Sequence, residues 1–190
     1  MSASEAIDMA QENKKSITIV NIVVSASLGH DVPLEKMAQT LPNIEYNPEQ
    51  FPGLVLRIKE PKTSALVFSS GKIVCTGART MQEVEASIQK IIQAVGKIGI
   101  HITIKPEVHI QNIVASGSVG MDLNLNTLAM KLKNTEYEPE QFPGLVYKLA
   151  EAGATFLLFS NGKVVCTGTK SDAAVHRALD MLIENLKKVK

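Results

Sequence analysis

Two hydrophobic periods alternate along the chain. Residues 17–25 are dense in Ile and Val and predict a β-strand from Ile17 to Ser25. A short helical stretch follows, with Asp31 as its cap, Pro33 in its first turn, and Leu34, Met37 and Leu41 along one face. Three short strands come next, Leu54–Ile58, Ser64–Phe68 and Lys72–Thr76. They are separated by the turn pairs Pro61-Lys62 and Ser70-Gly71, and connections this short force antiparallel neighbours. Thr80 and Glu83 then form a capping box ahead of a longer helix whose Val84, Ile88, Ile91 and Val95 recur at helical spacing. Beyond it, Ile98, Ile100, Ile102 and Ile104 alternate with Gly99, His101 and Thr103, which predicts a linker strand that joins the sheet.

The same order of elements then recurs. Residues 21–95 and 112–186 align without a gap at an offset of 91, and 33 of the 75 pairs are identical, which marks a duplicated module. NPEQFPGLV (47–55) matches EPEQFPGLV (138–146), and SSGKIVCTG (69–77) matches SNGKVVCTG (160–168). The second strand runs from Ile110 to Ser118. The second short helix carries Leu125, Leu128 and Leu132, and the second long one Val175, Leu179, Leu182, Ile183 and Leu186. Its hairpin turn is Asn161-Gly162. The organisation expected is a short polar tail (1–15), a first repeat (16–97), a linker strand with a second repeat (98–186), and a basic end (187–190).

Strand parity raises a covering problem. Ala65 and Val67 point to one face and Leu66 and Phe68 to the other; Ile73 and Cys75 oppose Val74 and Thr76; Ile22 and Val24 oppose Asn21, Val23 and Ser25. Neither face shows the charged alternation of a solvated sheet. Two helices per repeat shield one face only. The other meets a second sheet or a partner copy, or is an exposed binding platform. On residue pattern alone the phenylalanines read first as core aromatics, and the Asn and Thr positions read equally as solvent-facing strand residues.

Composition narrows the classes. Net charge is +1, with 20 basic and 19 acidic residues, which argues against holding nucleic acid mainly by charge. Two cysteines, Cys75 and Cys166, with core-facing parity, read as buried thiols rather than a disulfide framework or a zinc site. No run reaches the roughly 18 apolar residues of a membrane span. His30, His101, His109 and His176 sit in separate elements, and no nucleophile elbow or phosphate loop occurs, so no enzyme, metal or cofactor is expected.

The duplication, NIV at positions 21 and 112, YNPEQFPGLV and YEPEQFPGLV, and the FSSGK and FSNGK turns together closely resemble the TATA-binding protein family over residues 16 to 186. The short segment ahead of the first repeat resembles its archaeal branch. The resemblance implies an α+β fold: a saddle-shaped, curved ten-stranded antiparallel sheet with four helices on its convex face and two pseudo-symmetric repeats. It further implies a general transcription initiation factor that binds and bends the TATA box through the minor groove and recruits a B-type transcription factor and RNA polymerase. A cytoplasmic, nucleoid-associated location follows, or a nuclear one in a eukaryotic source. The competing class is a protein-interaction module that dimerises through its apolar sheet face; weak self-association off DNA is compatible with either.

By the family pattern, Phe51 and Phe68, then Phe142 and Phe159, wedge into base steps. The fifth phenylalanine, Phe156, shares the parity of Leu158 and reads as core. The groove floor is formed by Asn21, Val23, Leu66, Val74 and Thr76, with Asn112, Val114, Leu157, Val165 and Thr167. Arg57, Ser70, Lys72, Arg79, Lys148, Lys163 and Lys170 contact phosphates, and Glu138 and Glu140 face the B-type factor. Three departures from the pattern stand out: Ala152-Gly153 replaces a Pro-basic turn, Asn161 replaces a serine, and the chain ends Lys187-Lys188-Val189-Lys190.

Overall fold

A computed structural model describes residues 14–189. The polar tail expected over residues 1–15 lies almost wholly outside the described residues, as does Lys190. The first repeat forms β1 (Ser16–Ser27), α1 (Leu34–Thr40), β2 (Ile44–Glu45), β3 (Leu54–Ile58), β4 (Thr63–Val67), β5 (Lys72–Ala78) and α2 (Met81–Gly96). The second forms β6 (His109–Ser118), α3 (Leu125–Lys131), β7 (Thr135–Glu136), β8 (Leu145–Leu149), β9 (Ala154–Leu158), β10 (Lys163–Thr169) and α4 (Asp172–Lys188), with a short 3-10 turn at Ala150–Ala152. The ten strands hydrogen-bond in the order β2-β3-β4-β5-β1-β6-β10-β9-β8-β7. Every pairing within a repeat is antiparallel.

The chain packs as two compact units. Among the described residues, one comprises Val20–Asn112; the other comprises residues 14–19 together with 113–189. In the first unit, Ile22, Val24, Leu54, Leu56, Ala65, Val67, Ile73 and Cys75 are buried on one sheet face, against Val84, Ile88, Ile91 and Val95 of α2. In the second, Ile113, Ala115, Leu145, Tyr147, Phe156, Leu158, Val164 and Cys166 are buried likewise, with Val175, Leu179, Leu182 and Leu186 of α4. Phe156 is fully buried, as its parity requires. Burial pushes both thiols up, Cys166 to about 11, so neither is a nucleophile at neutral pH.

The predicted pair caps α2 with one bond displaced: Thr80 accepts the Glu83 N–H at 3.1 Å, while Glu83 reaches past the N-cap to accept the Arg79 N–H at 2.7 Å. Two expectations are corrected. Asp31 does not cap α1; the N-cap residue is Pro33, which makes no side-chain cap bond, and Asp31 lies two residues too early. The corresponding position in the second repeat is Asn124, and it does cap, accepting the Thr127 N–H at 3.0 Å. Nor do residues 98–104 form a strand: β6 begins only at His109. The alternating isoleucines instead close the end of α2. The Ile98 and Ile100 N–H groups donate to the Val95 carbonyl, and both side chains are buried there, whereas Ile104 is exposed. Residues 98–112 lie within the compact unit Val20–Asn112. The strands are also longer than the pattern suggested, reaching Ser27 in β1 and Ala78 in β5. The basic end is helical up to Lys188, where Lys187 and Lys188 complement the C-terminal dipole of α4.

The β4–β5 and β9–β10 hairpins are clamped from one side. Leu28 and Val32 donate to the carbonyls of Gly71 and Ser69, and Val119 and Leu123 to those of Gly162 and Ser160, at 2.8–2.9 Å. Gly71 and Gly162 adopt φ of 80° and 78°, and a Cβ there would meet a backbone carbonyl at 2.1 and 2.2 Å. Asn161 keeps an ordinary φ and steadies its turn by accepting the Lys163 N–H. These clamps fix where Phe68 and Phe159, the residues entering each turn, leave the sheet.

Burial separates the phenylalanines. Phe156→Ala is expected to cost about 3–5 kcal/mol in chemical denaturation, because a full aromatic cavity opens in a packed core. Phe142→Ala, at an exposed site, is expected to cost under about 1 kcal/mol. Equal losses at the two positions would contradict this partition.

Candidate nucleic-acid interface

On the sheet face turned away from the helices, side chains are half-exposed in both units. In the first unit Asn21, Val23, Leu66, Phe68, Val74 and Thr76 share this face, with Val55 paired to Leu66 and Ser64 paired to Thr76. In the second, Val114, Leu157, Phe159, Val165 and Thr167 share it, with Val146 paired to Leu157. Asn112 is half-exposed as well but falls at the border of the first unit. Every candidate floor residue is thus on an open face. Val55, Val146, Ser64 and Thr155 were missed there, although parity across the β3–β4 and β8–β9 ladders was the signal that places them.

Each unit carries one aromatic pair at this face. The Asn47 carbonyl accepts the N–H groups of Gln50 and Phe51, at 3.1 and 3.0 Å, so the chain turns tightly and projects the Phe51 ring. Phe51 and Phe68 then meet edge-to-face, with centroids 5.9 Å apart and planes at 64°. The second repeat reproduces this: Glu138 receives Gln141 and Phe142, and Phe142 meets Phe159 at 6.0 Å and 70°. Phe51 and Phe142 are 41% and 42% exposed, far too open for core aromatics.

The polar floor is organised by a β-bulge. Ile22 pairs with Ala78 but Val24 with Cys75, so β5 carries one extra residue at Thr76-Gly77. The Asn21 side chain closes the bulge: its Oδ1 accepts the Gly77 N–H at 2.7 Å and the Thr76 hydroxyl at 3.2 Å, and its Nδ2 lies 3.1 Å from Thr76 Oγ1. The Gly77 bond fixes which end of the amide is the oxygen. The network holds the Asn21 amide and the Thr76 hydroxyl side by side on the open face, a pairing that residue types alone did not reveal. The same register shift occurs between β10 and β6, from Cys166–Ala115 to Thr169–Ile113.

The candidate cations are exposed, but they are not equivalent. Arg57 binds Glu45 through Nε and Nη2, both at 2.9 Å, and Lys148 binds Glu136 at 2.7 Å. That ammonium holds the Glu136 carboxyl below its ordinary value. Both ion pairs are solvent-exposed, so they hold their cations only weakly. Lys72 and Lys163 open β5 and β10 on the same face, beside the exposed Ser70 and Asn161. Arg79 and Lys170 lie just beyond those strands. A further cation went unnoticed in the sequence: Lys14 lines an open depression of about 870 Å³ with Phe159, Asn161 and Lys163. Glu138 and Glu140 are exposed on the turn before Phe142. No cluster of three metal-ligating side chains occurs among the described residues.

The sequence matches the family model described as transcription factor TFIID (or TATA-binding protein, TBP) twice, over residues 16–98 and 107–189. It is 48% identical over 173 residues to the TATA-box-binding protein of Methanocaldococcus jannaschii, an alignment covering 91% of this chain and 94% of that one. It is 51% identical over 172 residues to that of Methanobrevibacter smithii, covering 88% and 95%. The solved structure of the Methanococcus jannaschii TBP superposes with a TM-score of 0.86 at 47% identity, over 91% of this chain and 99% of the other. The duplicated fold, the two open sheet faces and these matches agree, and the chain belongs to the TATA-binding protein family.

Proposed function

We propose that this protein is a transcription initiation factor that binds the TATA box through the minor groove and bends it. The observation that carries the reading is the repeated pair of exposed, edge-to-face phenylalanines, each bordering an open apolar sheet face. An aromatic plate inserted at a base step replaces part of the lost stacking, and its burial offsets an unstacking cost of a few kcal/mol per step. Phe51 with Phe68, and Phe142 with Phe159, would act as the two wedges.

The floor chemistry accounts for A·T preference. A·T pairs present only the acceptors adenine N3 and thymine O2 in the minor groove. Asn21, oriented by Thr76 and Gly77, supplies a donor; Asn112 with Thr167 is its counterpart by repeat. Val23, Leu66, Val74, Val114, Leu157 and Val165 offer no partner to the guanine amino group, so G·C pairs are penalised. Because A·T and T·A look alike there, the box itself gives little orientation.

Glu138 and Glu140 supply an asymmetry. The first repeat has Asn47 where the second has Glu138, so one wedge turn is more acidic than the other. A carboxylate pair suits a basic surface on a B-type transcription factor, through which RNA polymerase would be recruited. Charge reversal at Glu138 and Glu140 should leave box binding intact and abolish the ternary complex in a gel shift; a ternary complex of unchanged stability would count against this role.

Bending is read by fluorescence transfer between the ends of a TATA duplex. The wild-type chain should draw the ends together, and Phe142→Ala with Phe159→Ala should remove most of that change. Bending that persists in the double variant refutes the wedge reading. A duplex left unbound by a protein that sediments as a dimer would favour dimerisation through the apolar face instead.

Six cations are candidates for phosphate contacts: Arg57, Lys72, Arg79, Lys148, Lys163 and Lys170. If all engage, the slope of log affinity against log salt is about −5, at about −0.9 per neutralised phosphate. If Arg57 and Lys148 instead stay paired with Glu45 and Glu136, only four cations engage and the slope is about −3 to −4. A slope near zero in the titration overturns the phosphate assignment.

A further inference from the structure

Each aromatic pair closes over a glycine. A Cβ built on Gly53 would stand 2.6 Å from Phe51 Cε1 and 3.0 Å from Phe68 Cε1. On Gly144 the distances are 2.7 Å to Phe142 Cε1 and 3.1 Å to Phe159 Cε1. Both rings of a pair thus crowd the space that one methyl group would fill, and the arrangement recurs independently in the two units. Neither glycine has a left-handed φ, in contrast to Gly71 and Gly162. Backbone freedom is therefore not what these two positions require; room for the rings is.

We infer that Gly53 and Gly144 are positioning residues for the wedges. They let the two rings of each pair seat against the backbone and against each other, so that the wedge is assembled before DNA arrives. The inference rests on the wedge reading above. Its physical basis is pre-organisation: an exposed phenylalanine free to sample rotamers would have to be ordered on insertion, and that ordering opposes binding. A ring held by a partner ring and a bare Cα is already confined. Two features separate this role from a role in folding. The atom nearest the absent methyl is in each case the far edge of the more exposed ring, which can swing outward into solvent. And the glycine φ values are ones that alanine adopts. A methyl group should therefore disturb the rings while sparing the fold.

The test uses the full chain with Gly53→Ala and Gly144→Ala, beside Phe142→Ala. Three measurements are made: thermal melting, proton NMR of ring-to-ring contacts in the free protein, and binding and bending of a TATA duplex. Gly144→Ala is expected to melt close to wild type and to lose the Phe142–Phe159 ring contacts. It should bind the box about tenfold more weakly, with a reduced bend. Gly53→Ala should do the same for Phe51 and Phe68. If Phe142→Ala is defective but both glycine variants bind and bend as wild type, the positioning role is overturned and the wedge stands. If Phe142→Ala itself binds and bends normally, the wedge reading fails, and the NMR contacts still report whether the glycines seat the rings. A collapse in melting temperature at either glycine would show that it serves the fold and overturn the inference.

Discussion

The controlling constraint is a shortage of cover. Each repeat builds a five-stranded antiparallel sheet whose central strand positions are mostly apolar or uncharged on both faces, yet supplies one long helix and one short one. Leu54, Ala65, Val67, Ile73 and Cys75 are buried on the face that α2 covers, and their counterparts on the face that α4 covers. The remaining face of each unit, with Val23, Leu66 and Val74 or Val114, Leu157 and Val165, stays half-exposed. An apolar surface of this kind signals a partner, and the near-neutral net charge is then no obstacle to DNA binding: burial against a deformed groove, rather than phosphate neutralisation, would supply most of the affinity.

The second theme is precise placement of a few groups by ordinary backbone devices. Tight turns at Asn47 and Glu138, clamped hairpins at Gly71 and Gly162, and a bulge closed by Asn21 all act on side chains that would otherwise be mobile. Bulges in particular re-aim side chains at the cost of one unpaired residue. Here the Gly77 N–H, displaced from the ladder, finds the Asn21 carbonyl oxygen, and in doing so orients the amide.

Duplication gives two chemically similar units, and their differences are informative because the comparison is internal. The Tyr147 hydroxyl accepts the Asn185 amide at 3.1 Å, where the first repeat has Leu56 and Ala94. A buried Thr63–Ser87 hydroxyl pair, 2.8 Å apart, is replaced by Ala154 and Ala178. These exchanges alter the helix side, whereas Phe51, Phe68, Asn21, Val74 and Thr76 are each matched by the same residue type 91 positions on. The open face is the part on which the two repeats agree.

The duplication was legible by aligning the chain with itself, and periodicity and spacing determined the antiparallel hairpins within each repeat, the helix-capping pair Thr80 and Glu83, and the burial of Phe156, because each of these depends on neighbours a few residues apart. The same reasoning placed Phe68, Phe159 and the floor residues on one face, since side chains two apart on a strand share a face whatever surrounds them, whereas Phe51 and Phe142, which lie on turns, were assigned from the family resemblance alone. Tertiary structure alone decided the rest. The alternation from Ile98 to Ile104 looked like a strand, but the end of α2 needed an apolar plug and took Ile98 and Ile100 for it. Arg57 and Lys148 looked like free cations until strand pairing brought Glu45 and Glu136 beside them. Asn21 and Thr76, 55 residues apart, became hydrogen-bonded neighbours only where the β1–β5 register brought them together. Contacts made across a sheet depend on register and on which surfaces are left to cover, and neither is written in any local stretch of the chain.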